Sequence, residues 1–177
     1  MVDTIFISIF QLFIAAVLCA AGIHKLTNLT QFVAAMEAYQ LLPSNSLPAV
    51  ARGLMVLELM AAGCLFLSAN LLGGLLAVTI FGVYCIVMAI SIQRGLTEID
   101  CGCSFLRKAT PLSYWHLCRN AGLVILSFVI LLPDTGRELF WFDRVQIITG
   151  VMGLAILYLC IEALLSNRVY LLPSEEV

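Results

Sequence analysis

Charge is what this sequence has least of. Only 11% of its 177 residues are charged, against 62% hydrophobic. A soluble domain carries about a quarter charged residues and under half apolar ones. So small a chain cannot hide that much apolar surface from water, and lipid is the solvent that accepts it. Net charge is only −2, which excludes the basic field that a nucleic-acid partner requires. Segments 4–23 and 71–92 contain no charged residue at all, and each reaches the ~20 residues needed to cross the hydrocarbon. No Lys or Arg precedes Lys25, so the first segment lacks the basic n-region of a cleaved signal peptide and is expected to remain as a span. Sustained polar–apolar alternation is also missing, which argues against a β-barrel. Backbone groups in lipid must pair internally, so helices follow.

The expected fold is all-α: an integral membrane bundle of about five transmembrane helices in one domain, 1–177. The spans are read as 4–23, 49–69, 71–92, 112–132 and 145–165. The second and third form a hairpin turned at Asn70. Thr110 with Pro111, and Ser46 with Pro48, read as N-caps followed by first-turn prolines. Tyr114, Trp115 and Trp141 lie at span ends, where amphipathic rings favour the interface. Between the first two spans, Leu29, Phe32, Val33 and Met36 recur at helical spacing. That segment is too short to cross and reads as an amphipathic helix along the interface or over the bundle mouth.

With five spans, Lys25, Arg94, Arg107, Lys108 and Arg168 fall on one face of the membrane, and only Arg137 and Arg144 on the other. The positive-inside rule assigns the richer face to the cytoplasm.

That face also carries the sharpest motif, Asp100-Cys101-Gly102-Cys103, in the only sizeable polar loop. Two thiols around one glycine can close a cramped ring, because glycine supplies the backbone freedom. A strained ring is easily reduced and behaves as an exchange site. The helix start that follows, with Arg107 and Lys108, favours thiolate. Two other readings stand beside this one. The pair can be half of a metal site completed by His116 and Cys118, although zinc sites usually place two or more residues between cysteines. It can also be an inert loop pair. Each of the five spans carries one further cysteine: Cys19, Cys64, Cys85, Cys118 and Cys160. Single cysteines in spans usually act as small hydrophobes. Cys118, close to the motif, is the one placed to resolve a mixed disulfide.

Charges inside spans cost several kcal/mol unless paired or wet. Glu58 near the middle of the second span and Arg119 in the fourth lie at similar depths and are expected to pair, with Lys25 snorkelling toward the same cluster. Their role is either to fix helix register or to handle protons or a quinone. Arg52 and Glu162 read as span-end residues reaching the interface. His24 and His116 read as polar contacts near the cysteine-bearing face.

Several of these residues resemble a known family. Ala21-Gly22-Ile23-His24-Lys25-Leu26, Leu41-Leu42-Pro43 and Leu57-Glu58-Leu59 are similar to the DoxX-like membrane proteins. Asp100-Cys101-Gly102-Cys103 and Arg119-Asn120 resemble its MauE branch. The resemblance covers nearly the whole chain, and the Cys-Gly-Cys loop is its most specific feature. It implies a bacterial inner-membrane accessory protein that helps mature methylamine dehydrogenase. The partners implied are the disulfide-rich small subunit of that enzyme and the thioredoxin-like MauD. Cys101 and Cys103 become the exchanging pair; Asp100, Gly102, Cys118, Arg119, Glu58 and Lys25 are supporting candidates from their position and burial cost, not from the resemblance. Whether the chain is itself a thiol-disulfide oxidoreductase stays open.

The layout also resembles vitamin K epoxide reductase. This chain lacks that family's Cys-x-x-Cys spacing and any thiol pair in the first loop, which argues against direct quinone reduction. No metal or bound cofactor is expected, a quinone being the alternative. A loop that exchanges disulfides belongs in the periplasm, against the count of basic residues. The competing functions are a non-catalytic assembly scaffold and a membrane subunit of a quinone-linked oxidoreductase.

Overall fold

The computed structural model describes residues 2–96 and 114–171, with the side chains of the last helix described through Leu164. Six helices make up the described fold: α1 (Thr4–Thr27), α2 (Leu29–Ala38), α3 (Leu47–Phe66), α4 (Asn70–Gln93), α5 (Tyr114–Ile130) and α6 (Trp141–Leu171). Helices α1, α3, α4 and α6 are long and apolar enough to cross a membrane. Helix α5, with 17 residues, is about 26 Å long at 1.5 Å per residue, close to the ~30 Å hydrocarbon thickness. The chain is a helical membrane bundle, as its composition requires.

The boundaries differ locally from the sequence reading. Helix α1 runs to Thr27, so His24 and Lys25 lie in its last turn. The hairpin between α3 and α4 turns at Ser68, whose φ is 59°, and Asn70 is already helical. Ser46 occupies the N-cap of α3 without side-chain capping; its hydroxyl donates to the carbonyl of Pro43 at 2.8 Å. Trp141 opens α6 and does not merely precede it. The Thr110–Pro111 cap lies outside the described residues.

Helices α1, α3, α4 and α5 converge on Phe13, Ile14, Leu18, Ala62, Phe81 and Leu123. Lipid is as apolar as these side chains, so close packing and polar links decide which helices touch. Gly73 of α4 packs directly on α3: a Cβ there would stand 2.7 Å from the Leu65 side chain and 3.0 Å from its backbone nitrogen. In the last turn of α3, where carbonyls run out of helical donors, Gln11 Nε2 donates to Leu65 O at 2.6 Å. Opposite that interior, Leu71, Ile86, Ile125, Ile148, Met152 and Ile156 are exposed, which is the arrangement a lipid-facing surface takes.

Helix α6 packs on α1, while α5 packs chiefly on α4 and also on α1. The turn before α6 is tied to the N-terminus: Val2 N donates to Pro133 O, and Thr135 N to Val2 O, each at 3.1 Å. Those segments therefore share one end of the bundle. The C-terminal turns of α1 and α4 and the start of α5 form the other end, which α2 covers.

Candidate functional site

At the α2-covered end a lysine is buried. Lys25, 1% exposed, reaches Glu58, 0% exposed, and donates to both carboxylate oxygens at 2.6 and 2.9 Å. Tyr84 of α4 donates its hydroxyl to the same carboxylate. The ammonium lies 4.9 Å from the centroid of the Phe32 ring and 5.2 Å from that of Tyr84, both within cation–π range. Four helices thus contribute to one neutral cluster. Its position at the C-terminal turn of α1 adds a favourable dipole to the cation.

Gly22 explains how lysine and glutamate meet. It lies one turn before Lys25, where a Cβ would stand 2.7 Å from the Leu59 side chain. Its absence lets α1 and α3 approach at the level of Glu58. A cavity of about 300 Å³ adjoins the cluster, with Phe32, Met36, Tyr39, Leu54, Tyr84 and Met88 in its wall. The amphipathic stripe of α2 supplies Phe32 and Met36, so α2 closes the cavity.

A second buried pair joins α5 to α6. Arg119, its side chain 7% exposed, pairs with Glu162, 5% exposed, and its guanidinium stands 5.7 Å from the Tyr158 ring. The neighbouring Asn120 turns the other way and donates to Met88 Sδ at 3.4 Å, linking α5 to α4. The Arg119-Asn120 dipeptide therefore ties α5 to two different helices.

These pairs correct the expected wiring. Glu58 pairs with Lys25 and not with Arg119, because Lys25 lies inside the extended α1 and faces α3. Glu162 lies near the end of the apolar stretch of α6, Trp141–Leu164, as expected, but it turns inward onto Arg119 and is 5% exposed. Arg52 is exposed, as expected of a span-end charge. His116 is buried at 5% exposure, while Cys118 is exposed. Two residues on a helix are about 200° apart, so the two side chains that would complete a metal site point in different directions. Among the described residues no three His, Cys, Asp or Glu side chains cluster as metal ligands.

Cys19, Cys64 and Cys85 are partly buried, whereas Cys118 and Cys160 lie on the exposed surface. Asp100, Cys101, Gly102 and Cys103 lie outside the described residues. Sequence reasoning did not single out Tyr84 or Phe32 as partners of the ion pair. Phe32 carried a helical-stripe signal; Tyr84, in an uncharged span, carried none.

A bundle of apolar helices with buried ion pairs and a thiol-bearing connection defines a multi-pass membrane protein, and its sequence relatives narrow this further. Residues 3–133 match the family model described as methylamine utilisation protein MauE, and the chain belongs to that family. Relatives described as "Methylamine utilization protein MauE" include one from Methylophilus methylotrophus, 34% identical over 68% of this chain and 64% of the relative. Another, from Paracoccus versutus, is 31% identical over 83% of this chain and 78% of the relative. One from Paracoccus denitrificans is 29% identical over 68% and 65%. The chain thus spans just under two thirds of the Methylophilus relative's length. No solved structure matches the chain significantly. The family takes its name from methylamine utilisation.

Proposed function

We propose that this chain assists maturation of the methylamine dehydrogenase small subunit by thiol-disulfide exchange through Cys101 and Cys103, together with the thioredoxin-like MauD. The observation that carries the reading is the Cys-Gly-Cys sequence between α4, which ends at Gln93, and α5, which begins at Tyr114. The two helices are tied to each other by the Asn120–Met88 contact. A thiol pair on such a connection is tethered to rigid elements while its partners come and go.

The chemistry balances within two dithiols. The Cys101 thiolate attacks one sulfur of a substrate disulfide, breaking it and releasing the other sulfur as thiolate. A mixed disulfide now joins the two proteins. The Cys103 thiolate attacks Cys101 Sγ, closes the Cys101–Cys103 disulfide and frees the second substrate sulfur. The substrate has gained two electrons and this chain has lost two; the dithiol of the thioredoxin-like partner restores them. The same steps in reverse oxidise the substrate. Asp100, Gly102 and Cys118 are the supporting residues. No cofactor enters the reaction.

The protein resides in the bacterial inner membrane with this loop on the periplasmic side, where disulfides persist. The test combines function and sidedness. Cys101→Ser with Cys103→Ser should abolish dehydrogenase maturation while the variant accumulates normally in the membrane. In intact cells, a membrane-impermeant maleimide should label both thiols after reduction. Normal maturation by the double variant would turn the reading into that of a non-catalytic scaffold. Labelling only after lysis would place the loop in the cytoplasm.

A further inference from the structure

The gap between α5 and α6 is a groove of about 520 Å³, floored by Phe13 and walled by Trp115, Cys118, Gly122, Leu126 and Leu157. Helix α6 rests on α1, and among the described residues the two walls of the groove touch little elsewhere. Arg119 also lines it. Its side chain is more than nine-tenths buried, yet Nε donates to no acceptor among the described residues. Buried donors in hydrocarbon need a partner.

We propose that this groove is a binding site for one membrane phospholipid, with an acyl chain laid between α5 and α6 and an ester carbonyl accepting from the Arg119 guanidinium. Three observations select this occupant. The walls are apolar, and the side chains around them, Ile125, Leu157 and Ile161, are exposed on the surface that faces lipid. The charge at the site is already balanced, because Glu162 neutralises Arg119. A further anion gains little there, whereas a neutral carbonyl accepts the spare donor without bringing charge. The depth also agrees. Trp115, 53% exposed, lies one turn nearer the helix start than Arg119, about 6 Å along the axis. Tryptophan settles at the level of the headgroups, which puts the guanidinium just beneath, where the ester groups begin. The lipid then fills the gap that the Arg119–Glu162 pair leaves between α5 and α6. The site does not depend on the thiol chemistry proposed above.

Gly122 offers a clean perturbation, since a Cβ there meets nothing within 4 Å. Gly122→Leu fills the groove from α5, and Leu157→Trp fills it from the exposed face of α6. The protein is reconstituted in nanodiscs of phosphatidylethanolamine and phosphatidylglycerol, then examined by native mass spectrometry with stepped activation. One phospholipid should stay bound to the unmodified protein after all others are stripped. In either filled variant that retention should weaken about tenfold, the factor that ~1.4 kcal/mol of lost contact gives, with helix content unchanged by circular dichroism. Equal retention in a folded filled variant overturns the proposal. So does the absence of a tightly held lipid, a retained quinone in protein purified from native membranes, or a second copy of the chain lost on filling the groove.

Discussion

Glu58→Gln isolates the buried cluster most sharply. The substitution keeps shape and leaves a carbonyl oxygen for the Tyr84 hydroxyl. It removes the one group that neutralises Lys25, an ammonium 1% exposed and held at 2.6 and 2.9 Å from the carboxylate oxygens. Two aromatic faces remain near the cation, each worth about 2 kcal/mol when desolvated. They cannot replace a carboxylate. Removing one member of a buried pair costs about 3–5 kcal/mol, whereas removing both is often neutral. Glu58→Gln and Lys25→Met should each destabilise by that amount. The double variant should lose at least about 2 kcal/mol less than the sum of the singles, since it leaves no unpaired charge behind. Reversible unfolding in mixed micelles with increasing SDS, followed by far-ultraviolet circular dichroism, measures all four proteins. Singles within about 0.5 kcal/mol of the unmodified chain, or strict additivity, would refute the reasoning, since coupled loss is the signature of a contact.

Three other outcomes follow from the same geometry. Tyr84→Phe removes a hydroxyl donated to a charged acceptor and should cost about 1.5–3 kcal/mol in the same unfolding assay. Gly22→Ala forces a Cβ into Leu59, and the resulting strain between α1 and α3 should cost about 1–3 kcal/mol, less if Leu59→Ala is added. Arg119→Leu leaves Glu162 buried without its cation. It should raise amide hydrogen exchange throughout α6 while leaving α3 protected; uniform exchange in both helices would contradict the pair's role as the α5–α6 tie.

The bundle was legible because lipid imposes a simple rule: long uncharged runs must be helices. Residues 4–23 and 71–92 announced α1 and α4 on that basis alone. The stripe at Leu29, Phe32, Val33 and Met36 also marked α2 correctly, since amphipathic periodicity survives without tertiary information. Pairing was harder. Depth along the membrane suggested Glu58 with Arg119, but depth says nothing about which faces meet. Gly22 decided that question by letting α1 approach α3, and its effect emerges only when the backbones are placed. Glu162 was placed near a span end, but its pairing with Arg119 was missed for a related reason: position along the chain does not say which faces of α5 and α6 meet. The Cys101–Cys103 motif is a sequence observation, and the groove beside Arg119 is a structural one that no spacing along the chain announces.

The most direct measurement is covalent trapping at the loop. With Cys103 replaced by Ser, a mixed disulfide formed at Cys101 has no internal thiol to resolve it. Cells producing that variant with the methylamine dehydrogenase proteins, quenched with acid and separated without reductant, should contain an adduct of this chain and the small subunit or the thioredoxin-like partner. Dithiothreitol should dissolve it, and Cys101→Ser should prevent it. No adduct, together with full dehydrogenase maturation, would contradict the account.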